Sequence, residues 1–176
     1  MRNVNPYAEL LEKDWDGLPL GVRLSMTAPL QATGNLRVWR AEKGMAGWLA
    51  RRMELPPVGE VVPTHLLLVA EDGRVRWERT FAGMRAVSHQ AFRNGRIVES
   101  AGPFQIELIL IVNRDEVIHR QTAVRAFGLR VPALFGPRVD GTVSCGPTEM
   151  SWRVQVEIGH PMFGAICRYD GVMVAE

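Results

Sequence analysis

After residue 60 the chain stops repeating every three to four residues and begins to alternate every second one, segment after segment. A strand with apolar residues at i, i+2 and i+4 has one apolar face and one polar face. A chain made of such strands must curl or stack its sheet to hide the apolar side. The alternating segments are 61–70, 74–81, 85–92, 96–100, 104–112, 116–127, 139–145, 150–158, 165–169 and 172–174. The pattern is plainest where Met150, Trp152, Val154, Val156 and Ile158 alternate with Ser151, Arg153, Gln155 and Glu157. Asp72-Gly73 and Asn94-Gly95 are two-residue hairpin signals. Gly83 reads as a bulge or bend, and Gly102-Pro103, Gly146-Pro147, Gly159-His160-Pro161 and Asp170-Gly171 read as breaks or turns.

The first sixty residues differ. Pro6 suits a first helical turn, and Tyr7, Leu10 and Leu11 share helical spacing, so a short helix is expected that stops before Gly17. Residues 35–41 read as a strand. Residues 44–53 read as a helix with Met45, Trp48, Leu49, Arg52 and Met53 on one face. Pro56, Pro57 and Gly59 end it. Many short strands with turn signals between them indicate a mainly β fold, α+β by count. It is expected to be an antiparallel barrel or strongly curved sheet with one or two short N-terminal helices. No long C-terminal helix follows, which argues against a helix-grip fold. At 176 residues the chain is expected to be one domain, 1–176, with a helical part over 1–60 and a β part over 61–176.

The charge balance narrows the partners. Lys+Arg 21 against Asp+Glu 19 gives +2, too little for a nucleic-acid partner. Only Lys13 and Lys43 are lysines, so 19 of the 21 basic residues are arginines. Cys145 and Cys167 form no CxxC pair and have no zinc spacing, so two buried thiols are expected. The N-terminus has no apolar signal core, and no stretch reaches the ~18 apolar residues of a membrane span, so a cytoplasmic protein is expected.

The turn and loop residues carry a resemblance. Leu55-Pro56-Pro57-Val58-Gly59-Glu60, Arg76-Trp77-Glu78-Arg79 with Phe81 and Gly83, and Glu99 with Gly102-Pro103-Phe104 form its first part. Gly128-Leu129 with Val131-Pro132, Gly136-Pro137-Arg138, and Arg168-Tyr169 with Gly171 form the second. Together, from about Tyr7 to Gly171, they resemble a bacterial family known as domain of unknown function 4166. The resemblance implies no established activity. It does imply a possible dehydrogenase-like protein partner, because members are often joined to NAD(P)-binding, saccharopine-dehydrogenase-like proteins. Ser25 stands where the family tends to have His, and Val172-Met173 where it tends to have an aromatic residue.

Candidate site residues follow from the faces of the strands. Val75, Trp77, Arg79 and Phe81 fall on one face, and an arginine on an apolar face needs a partner or a ligand. Arg79 is therefore either an anchor for a polar headgroup or half of an ion pair with Glu99 or Glu107. Trp77, Trp152 and Tyr169 are candidate pocket walls, with core packing as the alternative. His89 and His119 sit mid-strand, where each could face a cavity. Glu107 is a candidate perturbed acid, or a cross-strand partner of Arg120. Residues 128–137 form a long apolar connection suited to a lid or interface. Ser88 and His89 are adjacent and so point to opposite faces, which disfavours a nucleophile–base pair. Gly44-Met45-Ala46-Gly47 lacks the full nucleotide fingerprint, and no histidine pair has metal-ligand spacing, so no cofactor or metal is expected.

These residues favour a non-enzymatic barrel module binding a small apolar or amphipathic ligand. The alternatives are an accessory domain for an NAD(P)-dependent dehydrogenase-like partner, or an enzyme using His89 or His119 with Glu99 or Glu107.

Overall fold

The computed structural model describes residues 5–53 and 55–176. Eleven strands form one antiparallel sheet: β1 (Leu30–Arg40), β2 (Gly59–Glu71), β3 (Arg74–Phe81), β4 (Met84–Arg93), β5 (Arg96–Ala101), β6 (Phe104–Asn113), β7 (Glu116–Ala126), β8 (Leu129–Val131), β9 (Arg138–Cys145), β10 (Ser151–His160) and β11 (Gly164–Ala175). Ten of them close into a barrel, in the order β1 to β7, then β9, β10, β11 and back to β1. The short β8 lies outside this ring. It pairs with Val124–Ala126 of β7, while Glu116–Arg120 of β7 pair with β9. Gln121 bridges that split, donating to the Pro137 carbonyl at 2.8 Å and accepting from the Val139 N–H at 3.0 Å.

The turns set the register. Asp72-Gly73 and Asn94-Gly95 join β2 to β3 and β4 to β5, with positive φ at Gly73, Asn94 and Gly95. Gly83, read as a bulge or bend, lies in a hairpin turn between β3 and β4. Ala82 and Gly83 both have positive φ (46° and 91°), which a type I′ turn requires. Asp170-Gly171 does not turn at all, because β11 runs unbroken through it. Gly171 is there for lack of space: a Cβ would lie 2.4 Å from the Asn35 carbonyl oxygen. Gly34, on the facing strand β1, would put one 2.2 Å from the Val172 oxygen. Two glycines therefore allow β1 and β11 to approach where they pair.

Register carries one face around the ring. Leu68 pairs with Trp77, Trp77 with Ser88, and Gln90 with Glu99. Glu99 pairs with Ile106, Leu110 with His119, His119 with Gly141, and Val156 with Tyr169. These residues face inward. The outward face carries paired charges: Arg37–Asp170 at 3.1 Å, Arg76–Glu71 at 2.8 Å, Arg85–Glu78 at 2.7 Å and Arg168–Glu157 at 2.9 Å. Most of the arginine excess is spent on this solvated face, where each pair adds little stability.

The helices sit at the two ends. At one end α1 (Pro6–Leu11) and a 3-10 turn (Glu12–Asp14) stop before Gly17 as expected, and a second short helix, α2 (Leu20–Leu24), follows it. Asn5 caps α1 by accepting from the Tyr7 N–H. Tyr7, Leu11, Leu18, Val22 and Met26 pack against Ile97, Leu108 and Val117, closing that end. At the other end α3 (Gly44–Arg52) packs against β11. Its buried residues are Gly47 and Ala50, whereas Met45 and Trp48, expected on the packed face, are exposed. Gly47 packs against the incoming loop, where a Cβ would meet the Glu42 backbone at 2.4 Å, and Ala50 is buried in the main apolar cluster. Cys167 is buried, but Cys145 is exposed at the end of β9, not buried as expected.

Candidate functional site

Strands β3, β4 and β5 place three polar side chains in a row on the inner wall. Arg79, Ser88 and Glu99 meet because the Ala82-Gly83 turn sets Trp77 opposite Ser88 and the Asn94-Gly95 turn sets Gln90 opposite Glu99. The Ser88 hydroxyl donates to Glu99 Oε1 at 2.6 Å and accepts from Arg79 Nη1 at 3.1 Å. Gln90 Nε2 donates to Glu99 Oε2 at 2.9 Å. Arg79 reaches the same carboxylate directly at 3.4 Å. Its guanidinium also lies 4.8 Å from the centre of the Trp77 ring, a cation–π stack. From the closed end of the barrel the Tyr7 hydroxyl donates to Gln90 Oε1, so a helix outside the sheet joins the network.

The charges are tightly held. Burial pushes the Glu99 carboxyl up, but Arg79 together with the Ser88 and Gln90 hydrogen bonds outweighs it and holds the acid below its ordinary range. Burial pushes His119 down to about 4, so the imidazole is neutral near pH 7. It lies against Tyr7, ring centres 6.1 Å apart at 63°. Burial raises Tyr169 to about 12, and its ring meets Phe81 edge-on at 5.7 Å. Around Trp77 the wall thus holds one cation, one anion, a neutral imidazole and two neutral phenols, while Arg40, further along the inward face of β1, donates to the Leu55 carbonyl at 2.8 Å.

The wall is not entirely packed. Ten strands enclose more room than the eight whose side chains just fill a barrel. The Arg79 and Glu99 side chains, although inward, keep 22% and 16% of their accessible surface. Trp77 Nε1 has no hydrogen-bond partner among the described residues and is itself shielded. A donor left unmade in this way costs about 1–3 kcal/mol.

The candidates read from the sequence divide between two surfaces. Arg79, Trp77, His119 and Tyr169 face the interior and stand close to one another. Trp152 also faces inward, but it is buried in the main apolar cluster and packed as core. His89 points outward, 3.6 Å from Glu71, since it alternates with the inward Ser88 and Gln90. Glu107 is outward as well. Its partners are Arg96 at 3.1 Å and Arg125 at 3.2 Å rather than Arg120, and Arg125 leads in holding its carboxyl low. Of the four groups considered for acid–base chemistry, His119 and Glu99 are inside and His89 and Glu107 are outside. Ser88, Gln90 and Tyr7 belong to the inner network but were not among the sequence candidates. Counting back from the Asn94-Gly95 turn would have found the Gln90–Glu99 pair. Among the described residues no group of three or more His, Cys, Asp or Glu side chains is arranged to hold a metal ion.

Comparison with known proteins adds fold and kinship. Residues 21–173 match the family described as domain of unknown function 4166. No curated protein shows significant similarity to the chain. Among solved structures, a protein of unknown function from the DUF3598 family of Nostoc punctiforme superposes with a TM-score of 0.53 at 11% identity. The match covers 85% of this chain and 48% of that one, so the chain spans about half of its length. A second match, GphF Dehydratase 1, has 10% identity and covers 88% of this chain and 79% of that one. Its TM-score of 0.21 relates no common fold.

Proposed function

We propose that this chain, which belongs to the family of domains of unknown function 4166, is a non-enzymatic binding module whose barrel holds a small amphipathic ligand. The observation that carries the reading is Trp77: a shielded indole N–H without a partner, beside Arg79, on an inner wall that keeps accessible surface. A ligand oxygen accepting from Trp77 Nε1 would recover the bond left unmade. Arg79 is already neutralised by Glu99, and His119 is neutral, so the wall beside Trp77 has no net charge to offer a carboxylate or phosphate. The ligand class that fits best has a carbonyl, ester or hydroxyl head and an apolar body against Tyr169, Val156 and Leu110. The Glu99 carboxylate is occupied by Ser88, Gln90 and Arg79. That favours a structural role for it over a proton-transfer one.

Native mass spectrometry of gently purified protein tests this, together with titration by long-chain alcohols and fatty-acid methyl esters while tryptophan emission is followed. Retained or added mass, with a change in emission lost in Trp77→Phe, is expected. No bound mass and no uptake of any such compound would refute the reading. An accessory role beside a dehydrogenase-like protein rests on the resemblance, and co-purification with such a protein is its test.

A further inference from the structure

The end of the barrel opposite α1 and α2 is greasy at its tips. Phe127 is 82% exposed in the β7–β8 turn and Leu129 76% at the start of β8. Leu134 and Phe135 are 55% and 64% exposed in the β8–β9 connection, and Met162 is 55% exposed in the β10–β11 turn. These connections are neighbours in space: Arg130, Val131, Pro132, Ala133, Arg138 and Pro161 line one groove of about 480 Å³. Trp48 of α3, at the same end, is 53% exposed. Phe127 and Gly128 have φ of 51° and 80°, which turns the chain tightly and leaves the phenyl ring beyond the strand ends.

The tip segments themselves carry charge of one sign, and the carboxylates Glu42, Glu60 and Asp140 lie just outside them. Residues 127–138 carry Arg130 and Arg138, residues 44–53 carry Arg51 and Arg52, and neither segment nor residues 160–164 contain a carboxylate. Arg138 pairs with Asp140 at 3.3 Å, while Arg51 donates to the Glu42 backbone carbonyl. Glu42 flanks α3 on its N-terminal side.

We propose that this end of the barrel docks on an anionic lipid surface, with the tip side chains inserted among the acyl chains and the arginines at headgroup level. Isolated apolar residues on protruding turns, ringed by arginine, suit an interface that is apolar below and negative above. A second copy of this chain suits it less, since a two-fold pairing would set Arg130 and its neighbours against themselves. The inference is independent of what the barrel holds, because vesicle binding reads the tips alone.

The test is co-sedimentation of the full chain with vesicles of phosphatidylcholine alone and of phosphatidylcholine mixed with phosphatidylglycerol. Sedimentation with the mixed vesicles, weakened by salt, is expected. The double variant Phe127→Ser/Phe135→Ser should abolish it, and Arg130→Glu should weaken it by about tenfold. Met150→Ser, an exposed apolar residue at the other end, should leave it unchanged. All these side chains are exposed, so circular dichroism should show each variant folded. The proposal is overturned by failure to bind the mixed vesicles, or by binding that Met150→Ser reduces as much as the double variant does. A dimer in sedimentation velocity that the double variant dissolves, without vesicle binding, would assign the surface to a second copy instead.

Discussion

Arg79 on β3 and Glu99 on β5 are separated by a whole strand, and Ser88 on β4 holds them together, accepting from the guanidinium at 3.1 Å and donating to the carboxylate at 2.6 Å. With the direct contact at 3.4 Å, the three form a closed triangle inside the barrel. Removing one charge leaves the other mostly buried without its counterion. Arg79→Met and Glu99→Gln should each lower stability in urea unfolding by about 2–4 kcal/mol, somewhat under a fully buried pair because both side chains keep some solvent. Arg79→Met/Glu99→Gln should cost less than the two single changes together. Additive losses would show that the pair is not coupled.

The pH dependence of stability has a definite sign. His119 is held down to about 4 by burial, and Glu99 is held below its ordinary range in spite of burial, mainly by Arg79. Both folded-state values are depressed, so each group contributes stability above its unfolded value and loses it as pH falls. For His119 the loss runs from its unfolded value near pH 6.5 down to about 4, at up to about 1.4 kcal/mol per pH unit for one proton. Glu99 adds its share below about pH 4.3. Replacing His119 with Phe should flatten the curve between pH 6.5 and 4, leaving the more acid limb. Urea midpoints measured across that range decide it.

Three glycines make a graded test of the close approach between strands. Gly34→Ala and Gly171→Ala would place methyl groups 2.2 and 2.4 Å from backbone oxygens, and each should cost about 3 kcal/mol or more or prevent folding. Gly141→Ala meets its nearest atoms at 3.7 and 3.8 Å, ordinary contact, and should stay within about 1 kcal/mol of the parent. Thermal melts of the three variants suffice.

Helix α3 offers a contrast between a large residue and a small one. Trp48→Gln removes a side chain that is 53% exposed and should change stability by less than about 0.5 kcal/mol. Ala50→Leu forces bulk into a fully buried position and should cost about 1–3 kcal/mol.

Sequence pattern made the barrel legible because alternation leaves few ways to hide an apolar face. It also marked Arg79, since a charge among Val75, Trp77 and Phe81 breaks that face. It could not choose between a ligand and a carboxylate for Arg79 without cross-strand register, and register depends on turns. The Asn94-Gly95 hairpin, read as a count, would have set Gln90 opposite Glu99. Asp170-Gly171 misled because Asp-Gly has the composition of a turn wherever it occurs. There the glycine answers to the backbone of β1, which is remote in sequence. Tyr7 was readable as a helical apolar residue, but its hydroxyl finds Gln90 only through the tertiary fold. Trp48 was expected on the packed face of α3 because hydrophobicity alone does not say which side of a short helix turns inward; there Ala50 is buried instead.

The pairing of β1 with β11 joins the two ends of the sheet, whereas every other contact around the ring links strands that follow one another along the chain or are separated only by the short β8. Hairpins have a small loop-closure cost, so the long-range β1–β11 contact is expected to form last. A chain in which that pairing has not formed would expose two sheet edges, of eleven and twelve residues in the finished barrel. Either edge can take up a strand from another molecule. Gly34 and Gly171 therefore bear on how long a newly made chain stays open to aggregation, as well as on how stable the finished barrel is.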